Sequence, residues 1–356
     1  MKTSCGMKKD LRKGKGGVFG ALLLALACHS HAFRVTPSLG AVTQTKSCSF
    51  FSATPKVSQH TLGGVRLRRR GSSLCASMAE NAGCGLGFDF GTSGVRICVV
   101  DGRSQAILHE ARVSYTEQSP DVWVDAMETL LDGIPATIRA SISSVAVSGT
   151  SASVMLVDSR TGKVSRGPRM YDFAASHDAV ALASSVAPEG HTVRSATSTL
   201  AKILQWHQES PILSEERIAH QADFLAAQLV GTGGGNMSGG PQAPLGGYTS
   251  DYNNALKIGY DVKALEYPRW MVDLLRALSL DAQTVLPAVV RPGGKIGPVT
   301  HAARQRWGLS ENCQVVGGTT DSIAAFIAAR AKKPGHAVSS LGSTLAIKLL
   351  STSPGV

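Results

Sequence analysis

The sequence predicts a mixed α/β protein large enough for two domains. Three observations carry that expectation. The chain has 356 residues, 43% of them hydrophobic, with Gly and Pro spread throughout. From Gly85 onward, apolar strand-like runs alternate with segments of helical periodicity. Two hydroxylated glycine turns, Gly91-Thr92-Ser93-Gly94 and Leu341-Gly342-Ser343-Thr344, each lead into an apolar strand-like run.

The formal net charge of +11 does not belong to that fold. Residues 1–80 hold thirteen Lys and Arg against Asp10 and Glu80, whereas residues 81–356 hold twenty-three residues of each sign. A neutral folded part argues against a nucleic-acid partner. Lys8, Lys9, Arg12, Lys13 and Lys15 precede the apolar run Val18 to Cys28, which ends in Ser30-His31-Ala32. Residues 1–32 therefore read as a secretory signal peptide, too short for a comfortable membrane span, and no stable membrane association is expected once it is removed. From Phe33 to Ala79 there is no acidic residue, while Ser, Thr and Arg abound, so residues 33–80 are transit-peptide-like. A signal peptide followed by such a segment opening on Phe resembles the two-part presequence of algae whose plastids lie inside extra membranes. That implies import to the plastid, with secretion as the alternative. Four of the seven cysteines fall in this leader, and Cys84, Cys98 and Cys313 remain without CxxC spacing. No disulfide framework or zinc site is expected.

The first element, Gly85 to Asp101, reads GLGFDFGTSGVRICVVD: a buried strand carrying Asp89, a tip of small and hydroxylated residues, and a second apolar strand. Such a tip can let backbone N–H groups and two hydroxyls approach a phosphate, with a cation between phosphate and Asp89; equally, Asp89 can satisfy turn amides in a plain hairpin. Gln105 to Ser114 reads as a third strand, and Trp123 to Leu131 as a helix started by Ser119-Pro120-Asp121. Ile142 to Ser148 is a buried strand running into Gly149-Thr150-Ser151, and Val154 to Val157 another. Tyr171-Asp172 stands at a strand-to-loop corner, where an aspartate commonly serves a turn. Ser198 to Trp206 and Ile218 to Leu229 have helical amphipathicity, with His207 and His220 structural. Gly231 to Gly247 is low in complexity and expected to be a mobile, exposed loop. Ser250 to Asn254 reads as scaffold. Pro292-Gly293-Gly294 marks a turn and Gln314 to Val316 a strand. Gly317 to Asp321 opens a helix from Ser322 to Ala331, where Asp321 has the position of an N-cap.

Three strands, a helix and a strand opening onto a polar tip resemble the duplicated core of the actin-like, RNase-H-like sugar-kinase ATPases, in whose sheets ligands sit outside strand ends. Seven collinear segments narrow the resemblance: GFDFGTSGVR, SGTSASVMLVDSRTGKVSRGPRMYDF, SATSTLAKILQW, HQADFLAAQLVG, GYTSDYNNALKIGYD, VGGTTDSIAAF and VSSLGSTLAIKLLS. Together they are similar to the FGGY carbohydrate kinases, and within them to the plant and cyanobacterial D-ribulose kinases. The resemblance implies a kinase N-terminal domain over residues 81–330 and the start of a C-terminal domain over 331–356. Family members continue well past this point, through a glycine-rich adenine-binding motif, so the chain is expected to be a fragment or a truncation.

The resemblance implies ATP and Mg²⁺ as cofactors and a small sugar as the partner, and leaves the oligomeric state open. It makes Asp321 the catalytic base and Asp89 the metal residue. Gly91, Thr92, Ser93, Arg96, Gly342, Ser343 and Thr344 would position phosphate, and Thr150, Ser151, Tyr171 and Asp172 would bind the sugar. A fixed carboxylate acceptor recognises polyol hydroxyls selectively. Xylulose kinases usually carry a Gln-Met-His-Gly run where this chain has Gly149-Thr150-Ser151, which shifts the expected ketopentose from D-xylulose to D-ribulose. A truncated sugar-binding relative without catalysis is the non-enzyme alternative. An Hsp70-like chaperone ATPase fails on the sugar-side segments.

Overall fold

The structure, a computed structural model, describes residues 33–36, 83–231, 247–341 and 345–352. The expected signal peptide, nearly all of the transit-like segment and residues 232–246 of the glycine-rich loop lie outside the described residues, as do the turn residues Gly342, Ser343 and Thr344.

The strands, in chain order, are β1 (Phe33–Thr36), β2 (Cys84–Phe90), β3 (Gly94–Val100), β4 (Ile107–Ser114), β5 (Ile142–Gly149), β6 (Val154–Asp158), β7 (Val164–Arg169), β8 (Glu216–His220), β9 (Thr249–Asp251), β10 (Ala288–Val290), β11 (Lys295–Pro298), β12 (Gln314–Thr320), β13 (Ala337–Leu341) and β14 (Leu345–Leu349). Among the described residues, the main sheet has the order β11-β12-β5-β2-β3-β4. β12, β5 and β2 run parallel, whereas β3, β4 and β11 are antiparallel to their neighbours. The parallel strands are covered on both faces, which is why β5 reads as a nearly unbroken buried run instead of an alternating one.

The helix Pro120–Gly133 follows from its sequence. The Ser119 hydroxyl caps it by accepting from the Val122 N–H, and Pro120 occupies the first turn. Trp123, Ala126, Met127, Leu130 and Leu131 then recur on one face and join the main core beneath β2, β3 and β5. A second sheet, β7-β6-β8, packs with the helices His177–Val186, Thr199–Glu209 and Arg269–Ala277 around another cluster of buried apolar residues. Cys84, Cys98 and Cys313 are buried.

Two expected boundaries are corrected. Ile218, Ala219 and His220 belong to β8, and the helix starts only at Gln221. Pairing of Ile218 with Leu156 and of Ala219 with Met155 overrides the local helical pattern, and the Asp223 carboxylate holds the break by accepting the His220 N–H at 3.0 Å. Likewise Gly317 to Thr320 complete β12, and the following helix is Asp321–Ala328. Strand β1, from the transit-like segment, pairs antiparallel with β13.

Candidate active site

The parallel strands set the site. Asp89 near the end of β2, Thr150 just beyond β5 and Asp321 just beyond β12 all emerge at the carboxyl edge of the sheet. Gly318 lets β12 reach that edge. A Cβ there would lie 1.8 Å from the Val147 carbonyl oxygen, and the β12–β5 register shifts across this glycine pair. Thr320, rather than Asp321, is the helix N-cap, and the Asp321 Oδ1 accepts the adjacent Ser322 N–H at 2.6 Å. The expected cap is therefore displaced by one residue, because the strand runs on to Thr320.

The first hairpin keeps its tip polar and fixed. Gly91 N–H donates to the Gly94 carbonyl at 2.9 Å, closing the turn, and the Tyr115 hydroxyl donates to the Gly91 carbonyl at 2.7 Å. Gln118 donates to the Thr92 carbonyl, and is itself held by the Trp123 indole N–H at 3.0 Å. Backbone carbonyls are thus tied down, while the Thr92 and Ser93 side chains are exposed. Arg96 faces Asp89 across the hairpin with a nearest N–O distance of 3.9 Å.

Asp89 is held in an environment that resists its charge. Burial pushes its pKa up to about 7, Arg96 opposes the rise, and the Asp321 carboxylate adds to it. Its Oδ1 is buried without a hydrogen-bond partner. Burial raises the Asp321 pKa as well, opposed by the Ser322 N–H and by Lys348. Lys348 arrives on β14 and donates to the Ser322 carbonyl, which ties the second hairpin to the start of the helix carrying Asp321. Two coupled carboxylates, one with an orphaned buried oxygen, fit a divalent cation: Mg²⁺ is usually bound by one or two carboxylates, with water and phosphate completing its shell.

The expected sugar-side residues divide into two groups. Thr150 is committed internally: its hydroxyl bonds Ser153 at 2.6 Å and donates to Gln221 Oε1 at 3.0 Å, and its N–H donates to the same oxygen at 2.9 Å. It therefore shapes the turn and does not offer its hydroxyl outward. Ser151 is half-buried, while Tyr171 and Asp172 are exposed at the turn beyond β7. These two loops are joined by a residue the sequence reading passed over as helical core, Lys202. Its Nζ donates to the Ala152 carbonyl at 2.8 Å and to the Met170 carbonyl at 2.6 Å.

Residues 84–328 match the N-terminal domain of the FGGY family of carbohydrate kinases. The chain is a member of that family. It is also similar to the xylulose kinase of Lactococcus lactis subsp. lactis (strain IL1403), 22% identical over an alignment of 266 residues, with 68% of this chain and 48% of that protein covered. Solved structures agree on the fold. A carbohydrate kinase from Novosphingobium aromaticivorans has a TM-score of 0.55 at 16% identity, covering 73% of this chain and 57% of that one. A xylulose kinase from Rhodospirillum rubrum has the same score at 20% identity, with 72% and 54% covered. The chain thus spans about half the length of these relatives, and what it shares with them is the N-terminal domain of the actin-like sugar-kinase fold.

Within this FGGY domain, the scaffold reading of Ser250 to Asn254 also acquires a structural reason. The Asp251 carboxylate caps the short helix Tyr252–Ala255, and Asn253 Nδ2 donates to Thr319 Oγ1 at 2.8 Å, bracing β12 two residues before Asp321. Lys202 and Lys348 are the functional candidates that sequence reasoning missed. A lysine in an amphipathic run or at a strand end reads as solvated, and only the carbonyls brought to it by the fold distinguish these two.

Proposed function

We propose that this chain carries the sugar-facing domain of an ATP- and Mg²⁺-dependent kinase that phosphorylates a ketopentose, converting D-ribulose to D-ribulose 5-phosphate. The observation that carries the proposal is the pair Asp89 and Asp321, coupled across the carboxyl edge of parallel strands in an FGGY domain. Asp321 accepts the proton of the sugar's terminal hydroxyl as that oxygen bonds to the γ-phosphorus of ATP and the bond from that phosphorus to the β–γ bridging oxygen breaks, so that ADP leaves. Its raised pKa, caused by burial, makes it a stronger base than an ordinary carboxylate. Asp89 holds the cation, which when bound neutralises charge on the phosphate oxygens. The tip Gly91, Thr92, Ser93 and Arg96 would orient those oxygens, and the resemblance assigns Gly342, Ser343 and Thr344 to the same task. Asp172 and Ser151 take the polyol hydroxyls.

The relatives named xylulose kinases favour a second reading, D-xylulose as substrate. The Gly149-Thr150-Ser151 and Tyr171-Asp172 segments favour ribulose, because the xylulose-type run is absent. The leader adds a further proposal, delivery to the plastid through a two-part presequence, with cleavage first between Ala32 and Phe33.

A panel of ketopentoses, glycerol and no sugar in a coupled ADP-release assay ranks these substrates. We expect the highest kcat/KM with D-ribulose and a roughly 10²- to 10⁴-fold loss of kcat in Asp321→Asn, with sugar affinity retained. A xylulose preference moves the assignment to the second reading. Turnover unaffected by Asp321→Asn would remove Asp321 from the chemistry.

A further inference from the structure

We infer that Lys202 is a positioning residue that couples the two sugar-side loops, so that the turn after β5 and the turn after β7 form one rigid rim. This rests on the reading of that rim as the sugar site.

Lys202 lies on the helix Thr199–Glu209 and is fully buried, an unusual place for an ammonium group. Its location is explained by what it reaches. Two of its N–H donors go to main-chain carbonyls in different loops, Ala152 at 2.8 Å and Met170 at 2.6 Å. Ala152 has a φ of 61°, a left-handed conformation that an alanine adopts only when its surroundings impose it. The Thr150-to-Ser153 turn is closed by the Thr150–Ser153 hydroxyl pair and held at its two ends by Gln221, while the Lys202 ammonium is the side chain that holds the Ala152 carbonyl at its centre. Met170 immediately precedes Tyr171 and Asp172.

The rest of the frame is built to keep that ammonium where it is. Arg169 donates to the Lys202 carbonyl at 2.8 Å, pairs with Glu209, and lies over the rings of Trp206 at 4.5 Å and Phe173 at 4.7 Å. The end of β7 is thereby clamped to the same helix that carries Lys202. The charged groups facing the ammonium are Asp172, which favours its charge, and Arg169 and Lys257, which oppose it. Burial lowers its pKa to about 8, which still leaves it mostly protonated at neutral pH. A charge-assisted bond to each carbonyl is stronger than a neutral one.

The consequence is specific. Losing the ammonium should free the Thr150–Ser153 and Met170–Phe173 segments together while leaving the hairpin that faces phosphate unchanged. Lys202→Met keeps the stem and its packing. Amide exchange across 150–153, 169–173 and 88–96 is measured in both proteins, with calorimetric titration of D-ribulose, D-xylulose and ATP–Mg²⁺. We expect faster exchange in both sugar-side segments, unchanged exchange in the hairpin, a sugar dissociation constant raised about tenfold, and nucleotide affinity within about twofold. Unchanged exchange in either loop, or sugar and nucleotide affinities falling together, overturns the inference. If the wild-type chain binds no sugar yet both loops loosen in the variant, the substrate reading fails and the coupling stands. Should Lys202→Met not fold, Lys202→Gln, which keeps two N–H donors without charge, is read on the same observables; exchange as slow as wild type in that variant assigns the coupling to donors alone and overturns the role of the charge.

Discussion

Asp89 is where burial and chemistry pull in opposite directions. Its folded-state pKa of about 7 lies well above the ordinary carboxylate value, so in the cation-free protein the folded state holds a proton that the unfolded chain gives up. Stability contributed by that proton is present below about pH 4 and is lost as pH rises toward 7, the reverse of a salt-bridged aspartate. Asp321 and Asp251, both raised by burial, add to the same slope. A cation beside Asp89 removes the penalty. We therefore expect cation-free protein to melt at lower temperature at pH 8 than at pH 5, with Mg²⁺ restoring part of the loss. Asp89→Asn should show a shallower slope, a gain of order 1–3 kcal/mol at pH 8 and no Mg²⁺ response. Thermal unfolding from pH 5 to 8.5, with and without Mg²⁺, reads all three quantities, and a Mg²⁺ response retained by Asp89→Asn would place the cation elsewhere. Asp89 and Asp321 were singled out in the sequence only through the resemblance to the FGGY kinases, because turn amides and a helix cap gave each carboxylate an ordinary local reason to be there. The lysines were not legible, because their partners are main-chain carbonyls remote in sequence.

At the scale of elements, hairpins and capped helices were readable and transitions between elements were not. Ser119-Pro120 announces its helix through cap chemistry that is local in sequence. The β8-to-helix break at His220 and the extension of β12 through Gly317 and Gly318 are set by pairing with β6 and β5, which no local pattern contains. Gly318 is the sharpest case, since its glycine is demanded by the Val147 carbonyl and not by a turn. Gly318→Ala should push β12 away from β5, cost about 3 kcal/mol or more, and displace Asp321 so that activity falls beyond what stability explains. Gly133→Ala is the matched comparison: nothing lies within 4 Å of an added Cβ there, and helix propensity predicts a change between zero and about 1 kcal/mol in favour of folding. Denaturant unfolding of both variants distinguishes them, and equal effects would mean that the close approach to Val147 is not the constraint.

Over the whole molecule, charge and fold separate along the chain. The +11 formal charge resides in residues 1–80, while residues 81–356 balance to zero. Among the described residues, the members of the two large apolar clusters all lie at Cys84 or beyond. Among the described residues of that basic segment, β1 pairs its backbone with β13. Removing residues 1–80 should therefore leave the melting temperature within about 2 °C of the full chain, because every described member of the two clusters is retained. It should raise amide exchange on the edge of β13 that β1 had covered. The same deletion should abolish retention on a polyanionic column at low salt, since exposed basic charge acts through screened, long-range attraction and the remaining chain has no net charge to supply it. Melting, exchange and column elution of the two proteins form one test. A large loss of stability would show that the basic leader is part of the fold, and retained polyanion binding would revive a nucleic-acid partner for the neutral domain.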